Sequence, residues 1–139
     1  MHGKDLLISF GPTLKVDIGF DPTFVPTQQA APVAGVTGLD ALVDSGATEC
    51  CIDALLAAQL NLPMVNQRPI AGAHGARIAP IFMAQMVIPT LGITMYEEFA
   101  GVDLVAGGQL HHALLGRSFL ARCTMTYDGA TGAVSISSI

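Results

Sequence analysis

The sequence predicts a single, mainly β domain with one or two short helices. Apolar residues alternate with polar ones along Leu14–Phe20, as they do in a strand with one buried face. An Asp-Gly turn signal separates Cys123–Tyr127 from Ala133–Ile139, so the C-terminus is predicted to be a β-hairpin. No internal repeat or shift in composition marks a second domain, and residues 1–139 are therefore interpreted as one domain.

Two segments break the β pattern and are predicted to be helical. Asp53–Leu60 contains strong helix formers, and its first residue, an Asp, is placed to cap the helix. Pro63 follows soon after and ends this helix. Gly116–Arg122 is predicted to form the second short helix. Residues 21–37 contain three prolines among small and polar residues, which predicts a long surface loop or an irregular edge.

Composition and charge narrow the possible functions. Hydrophobic residues make up 51% of the chain and charged ones 12%, which favours an apolar cleft or a buried subunit interface. The net charge of −5 and the scattered basic residues disfavour a nucleic-acid partner. The chain contains no uninterrupted apolar run of about 18 residues, so no membrane span is predicted.

The start of the chain and its cysteines predict a reducing, cytoplasmic location. The first residues lack the charge order and the long apolar run of a secretory signal. The three cysteines, Cys50, Cys51 and Cys123, are odd in number and irregular in spacing, which is a poor disulfide framework. We therefore interpret them as small buried apolar side chains.

Asp44 comes directly after a predicted buried strand. Leu42 and Val43 precede it, so its carboxylate is expected to be held by rigid backbone and to face outward. Ser45 supplies a hydroxyl beside it, and Gly46 removes a side chain that would block the close approach of another backbone. Asp-Ser-Gly also occurs in ordinary turns, but those turns usually follow polar residues. The apolar residues before this one favour a catalytic carboxylate.

Three segments of the sequence resemble the retropepsin-like (retroviral-type) aspartic peptidases. Hydrophobic residues precede Asp-Ser-Gly-Ala at Asp44–Ala47, and Leu114–Arg117 matches the family's downstream element of two apolar residues, Gly and Arg. Ile70–Arg77 occupies the place of the family's flap hairpin. The resemblance covers residues 14–139 and implies a closed-barrel-like retropepsin (acid protease) fold with a flap.

The resemblance implies a role for each matching residue. Asp44 would be the catalytic carboxylate, supported by Ser45 and Gly46. His74, near the flap tip, is either an exposed turn residue or a pH-sensitive substrate contact. The residues expected to bind substrate are Ala47, Thr48, Gly72, Ala73, His74 and Gly75. The residues expected to support the site are Leu114, Leu115, Gly116 and Arg117.

The single Asp-Ser-Gly has a consequence for assembly. Aspartic peptidases use two carboxylates that share one proton, and this chain carries one such tripeptide. The resemblance therefore implies a two-fold symmetric homodimer in which each copy supplies Asp44. Ser45 would bond the partner's loop, and terminal strands such as Val134–Ile139 would interleave. The expected activity is endopeptidase cleavage of a peptide or protein substrate, without a cofactor.

One position departs from the family pattern. Thr48 stands where many retroviral enzymes have an acidic residue that pairs with the arginine equivalent to Arg117. Arg117 is therefore expected to pair elsewhere, and Glu49 is the nearest candidate in sequence.

Three other functions compete with the peptidase. A zinc site could be built from His111, His112, His74 and the cysteines, but the sequence has no Cys-x-x-Cys or His-x-x-x-His spacing, so no metal is predicted. His111 and His112 are expected to lie in a loop. A nucleophilic Ser45 lacks the Gly-x-Ser-x-Gly element. The remaining alternative is a catalytically silent retropepsin-like module that dimerises or binds peptides.

Overall fold

The computed structural model describes residues 4–21, 35–72 and 75–138, and these form helices, strands and one 3-10 turn. The helices are α1 (Lys4–Phe10), α2 (Ala54–Gln59) and α3 (Arg117–Leu120), and the 3-10 turn covers Pro89–Leu91. The strands are β1 (Thr13–Gly19), β2 (Gly35–Val43), β3 (Cys51–Asp53), β4 (Met64–Gly72), β5 (Gly75–Ile88), β6 (Ile93–Val102), β7 (Ala113–Leu115), β8 (Cys123–Asp128) and β9 (Ala133–Ser138).

Six of the strands close into a barrel. They follow the order β1-β2-β7-β3-β6-β5, and β1 also pairs with β5, which completes the ring. The pairs β2–β7 and β3–β6 are parallel, whereas the other pairs in the ring are antiparallel. The largest fully buried side chains of the core include Ile18, Ile52, Met86, Phe99, Leu115 and Phe119. The predicted mainly β, closed-barrel architecture is confirmed.

β4 lies outside the ring and forms a long hairpin with β5. The pairing runs from Met64 and Phe82 to Gly72 and Gly75. Along β5 the residues up to Ile78 are exposed, and burial begins only at the following residue. The end of the hairpin thus projects beyond the barrel, where the resemblance implies a flap.

The predicted terminal hairpin and helices are confirmed. β8 and β9 pair from Cys123 and Ser138 to Asp128 and Ala133. α2 begins after Asp53, whose Oδ2 accepts a hydrogen bond from the backbone N–H of Leu56 at 3.2 Å. α3 lies within the predicted second helix. None of the helices in the described ranges is long and apolar enough to cross a membrane.

Of the two alternatives for residues 21–37, a long surface loop or an irregular edge, the loop is wrong at its end. Residues 35–37 belong to β2, where Gly35 and Val36 pair with Gly19 and Ile18 of β1. Pairing with a neighbouring strand satisfies their backbone groups, which local composition does not reveal. Residues 22–34 lie outside the described residues.

The cysteines are free, and two of them are buried as predicted. Cys50 is buried in the core and Cys51 in β3, whereas Cys123 is half-buried at the start of β8. α1 was not predicted; it buries Leu7 and leaves Ile8 exposed.

Candidate active site

Asp44 lies directly after β2, where β2 runs parallel to β7. Its backbone N–H donates to the carbonyl oxygen of Leu115 at 2.9 Å, and its carbonyl oxygen accepts from the N–H of Ala47 at 3.1 Å. Its Oδ1 accepts from the N–H of Gly46 at 2.9 Å. A Cβ at Gly46 would lie 3.1 Å from that oxygen. Gly46 thus leaves room for a tight turn that fixes the carboxylate while keeping it half-exposed.

The other residues of 44–49, the candidate catalytic loop, rest on the start of α3. The carbonyl oxygen of Ala47 accepts from the N–H of Arg117 at 2.8 Å, and that of Thr48 accepts from Ser118 at 3.1 Å. A Cβ at Gly116 would lie 2.4 Å from the carbonyl oxygen of Glu49. The loop and α3 can approach this closely only because Gly116 has no side chain.

The side chain of Arg117 holds the same loop from outside. Its Nη1 donates to the carbonyl oxygen of Ser45 at 2.8 Å, and its Nη2 donates to the Thr48 hydroxyl at 3.0 Å. The expected pairing with Glu49 is wrong, since Glu49 Oε2 lies 2.6 Å from Nη2 of Arg68 on β4. The side chain of Thr48 faces Arg117, whereas that of Glu49 faces Arg68. The Thr48 hydroxyl and the Ser45 carbonyl oxygen are therefore the hydrogen-bond acceptors of Arg117.

A cleft of about 780 Å³ lies beside Asp44. The catalytic loop, the projecting β4–β5 hairpin and the end of β6 form its walls. Most of its lining is apolar, which suits side chains of a peptide. The residues that line it are Asp44, Gly46, Ala47, Thr48, Glu49, Cys51, Ala54, Pro69, Ile70, Ala71, Gly75, Arg77, Ile78, Ala79, Pro80, Gly101, Val102, Asp103 and Leu114.

The structure brings only some of the predicted site residues to this cleft. Those that line it are Asp44, Gly46, Ala47, Thr48, Gly75 and Leu114. Leu115 is fully buried in the core, and Gly116 and Arg117 hold the catalytic loop from behind. Gly72 pairs with Gly75 at the end of the hairpin. Ala73 and His74 lie outside the described residues.

The Ser45 hydroxyl is exposed beside the cleft. Within the described part of the chain it makes no hydrogen bond, whereas its carbonyl oxygen is held by Arg117. The hydroxyl is therefore available to a group outside this chain.

Sequence reasoning missed the far wall of the cleft. This wall is lined by residues from three different strands: Cys51 in β3, Arg77 in β5, and Val102 and Asp103 at the end of β6 and just after it. Burial raises the pKa of the Cys51 thiol to about 12, with smaller contributions from nearby acidic groups that include Asp44. Apart from Arg77, which ends the predicted flap segment, no local signal marks these residues, because only the barrel's strand pairing brings them beside the catalytic loop.

The histidines before β7 lie away from this cleft. His111 is buried, and its Nε2 lies 2.9 Å from the Thr13 hydroxyl. Residues 111 and 112 lie in a loop, as predicted. Across residues 4–21, 35–72 and 75–138, no group of three or more His, Cys, Asp or Glu side chains is arranged to hold a metal ion.

Comparisons with known proteins identify one family and one fold. A family model described as gag-polyprotein putative aspartyl protease matches residues 31–122. The solution structure of the simian foamy virus (mac) protease is similar, with a TM-score of 0.50 and 17% sequence identity, over 79% of this chain and 92% of that one. At this identity the likeness concerns the fold. No curated protein matches the chain.

Proposed function

The chain belongs to the gag-polyprotein putative aspartyl protease family and has the retropepsin fold, and from this premise we propose that it is an aspartic endopeptidase active as a homodimer. The observation that carries the proposal is the position of Asp44. Its carboxylate is fixed by the N–H of Gly46 and borders a cleft large enough for peptide side chains. The substrate class proposed is a peptide or an extended segment of a protein.

Hydrolysis would use two Asp44 carboxylates, one from each copy. Two carboxylates about 3 Å apart cannot both ionise easily, so the pair shares one proton, as in other aspartic proteases. The ionised carboxylate accepts a proton from the attacking water while the protonated one donates to the carbonyl oxygen of the scissile bond. The two apparent pKa values then belong to the pair and not to one residue.

Several features support a second copy as the source of the missing carboxylate. The chain has one Asp-Ser-Gly, and the exposed Ser45 hydroxyl is suited to bond a partner's loop. The sheet formed by β8 and β9 pairs with no other strand among the residues described, so its edges are available for pairing with another chain. A second copy would supply the second Asp44 that this chain lacks.

The decisive experiment compares the wild-type protein with Asp44→Asn. We expect both to sediment as dimers, and the variant to lose cleavage of a peptide library by about 10³-fold or more, since it cannot complete the acid–base pair. Cleavage is measured against pH, because the shared proton makes activity depend on two apparent pKa values.

Each contrary result has a separate meaning. Cleavage by Asp44→Asn at the wild-type rate would refute the mechanism. A monomer that still cleaves would refute the dimer. Absence of cleavage of every library member by the wild-type dimer, with peptide binding retained, would favour the silent binding module.

A further inference from the structure

The candidate cleft contains charged side chains that the catalytic step does not use. They are Glu49, Arg77 and Asp103. Glu49 already has a close partner, since its Oε2 lies 2.6 Å from Nη2 of Arg68, which lies on β4. The same contact raises the pKa of Arg68 above its usual range. Asp103 is the cleft carboxylate whose pairing is weaker.

Asp103 and Arg77 form a long, exposed ion pair. Nη2 of Arg77 lies 3.6 Å from Oδ2 of Asp103, which is beyond a normal hydrogen bond. The two side chains are 75% and 57% exposed, respectively. Exposed pairs of this kind contribute little, because water screens them and ordering two side chains costs entropy. A cation supplied by a substrate could therefore replace Arg77 beside Asp103 with little loss of free energy.

Asp103 is the rigid member of this pair. It follows the last residue of β6, and the buried carboxylate of Asp53 accepts hydrogen bonds from the next two backbone N–H groups, Leu104 at 3.0 Å and Val105 at 3.1 Å. Arg77, in contrast, lies near the exposed end of the β4–β5 hairpin on a long side chain. A charge held on fixed backbone needs less ordering when a ligand binds, so Asp103 is the better recognition group.

An apolar surface leads to Asp103. Val102, the preceding residue, packs like Ile70 and Leu114 against one small buried cluster, and all three line the cleft. Lysine and arginine bury their aliphatic stems along such a surface while the charged end stays in water. An acidic substrate side chain has a shorter stem and would meet the field of Asp44 and Asp103.

We infer that Asp103 forms a subsite for a basic substrate residue, with its aliphatic stem on Val102, Ile70 and Leu114 and its ammonium or guanidinium group at the carboxylate. This inference rests on the proposed peptidase function and specifies its substrate class. In a two-fold symmetric dimer the subsite would occur once on each side of the scissile bond.

The test begins with a decapeptide library that carries Lys, Gln or Glu at each position in turn. From the best-cleaved sequence, a matched set is made that differs only in the residue at the charge-sensitive position. We expect kcat/KM for the Lys peptide to exceed that for the Gln peptide by about fivefold at low salt, as one exposed ion pair allows. The preference should shrink as ionic strength rises.

Two variants locate the preference at Asp103. Asp103→Asn is expected to bring the Lys/Gln ratio close to one, and Asp103→Lys is expected to turn the preference toward Glu. Asp40→Asn is the matched control, because it removes an exposed carboxylate that also pairs with a cation, Lys15 at 2.6 Å, but is not among the residues that line the cleft. The control should keep the wild-type ratio. Thermal midpoints of all variants show whether they are folded.

The outcomes separate this inference from the proposed function. Equal cleavage of the Lys and Gln peptides at low salt would overturn the subsite and leave the proposed peptidase function intact. The same conclusion would follow if Asp103→Asn and Asp40→Asn changed the Lys/Gln ratio equally. If no peptide is cleaved, fluorescence anisotropy with the Asp44→Asn protein decides. If Lys peptides bind more tightly than Gln peptides, and Asp103→Lys abolishes the difference, the subsite is retained although the peptidase function is refuted. Equal binding of the two peptides would overturn the subsite as well.

Discussion

Arg117 donates a hydrogen bond from Nη1 to the backbone carbonyl oxygen of Ser45, at a distance of 2.8 Å. Its Nη2 reaches the Thr48 hydroxyl at 3.0 Å, so one guanidinium spans both ends of the turn that follows Asp44. Planar donors in a fixed fork suit two acceptors at once. The turn is therefore held from outside by a side chain that does not line the cleft.

Replacing Arg117 tests this support. Arg117→Ala removes both hydrogen bonds, and we expect the free energy of unfolding to fall by about 1 kcal/mol because the contacts are exposed. Cleavage should fall more through kcat than through KM, since the loop that carries the carboxylate loses its orientation. Arg117→Lys should restore only part of the loss, because an ammonium does not reproduce the fork.

Lys15→Ala is a suitable control for Arg117→Ala, since Lys15 forms an ordinary exposed ion pair with Asp40. We expect this variant to have the same free energy of unfolding and the same cleavage kinetics as the wild-type protein. Urea unfolding and steady-state kinetics provide the comparison. An Arg117→Ala protein that matches Lys15→Ala in kcat would show that the loop does not need the arginine.

The close approach of α3 to the catalytic loop gives a second prediction. Gly116→Ala would put a Cβ 2.4 Å from the carbonyl oxygen of Glu49 and 2.8 Å from that of Ala47, so backbone must move. We expect a loss of about 1–3 kcal/mol in the free energy of unfolding, as for other overpacked sites. Gly129→Ala is the control, because its nearest contact is the Tyr127 ring at 3.6 Å. Equal midpoints of the two variants in urea would contradict this packing.

His111 gives a prediction about pH and stability. Burial lowers the pKa of His111 below its ordinary value of 6.5, although Asp40 acts in the opposite direction and His112 adds to the decrease. The unfolded chain therefore binds the proton more readily, and the stability contributed by neutral His111 is present above pH 6.5. It is lost as the pH falls from there through the lowered pKa of the folded state.

The variant His111→Gln keeps an amide near the Thr13 hydroxyl and removes the titration. Its free energy of unfolding should fall less than that of the wild-type protein between pH 7 and pH 5, as measured by urea unfolding. Parallel pH profiles for His111→Gln and the wild-type protein would count against this assignment.

The cysteines predict an order of chemical reactivity. With its pKa raised to about 12, the Cys51 thiol is protonated at neutral pH although it lines the cleft. Since the thiolate is the reactive form, Cys51 should resist a thiol reagent such as iodoacetamide in the native protein. Cys123 is half-buried and should be modified first, and all three should react after unfolding. Mass spectrometry of the labelled peptides identifies the sites, and rapid native labelling of Cys51 would contradict the prediction.

Some features of the fold follow from short stretches of chain. The alternation in β1, the Asp-Gly turn of the β8–β9 hairpin and the capping of α2 by Asp53 are all visible in sequence, because each depends on neighbours a few residues apart. α1 was not predicted, since its seven residues are too few for a stable isolated helix and depend on the burial of Leu7.

Asp53 illustrates where local reasoning ends. Its role as a cap was predicted, but the same carboxylate also accepts hydrogen bonds from Leu104 and Val105, about fifty residues further along the chain. The expected Arg117–Glu49 pair failed for the same reason, since Glu49 is taken by Arg68 from β4. Partners of this kind depend on strand order, and one sequence does not reveal it.

The sequence by itself determined that Asp44 follows a buried strand, that Gly46 leaves space beside it, and that one chain supplies one such carboxylate. Those properties depend on residue type and on spacing along the chain. Only the tertiary structure decided which residues face that carboxylate. Closure of the barrel brings Asp103 and Arg77 to the same cleft from distant segments, because burying the apolar faces of six strands fixes which strands become neighbours.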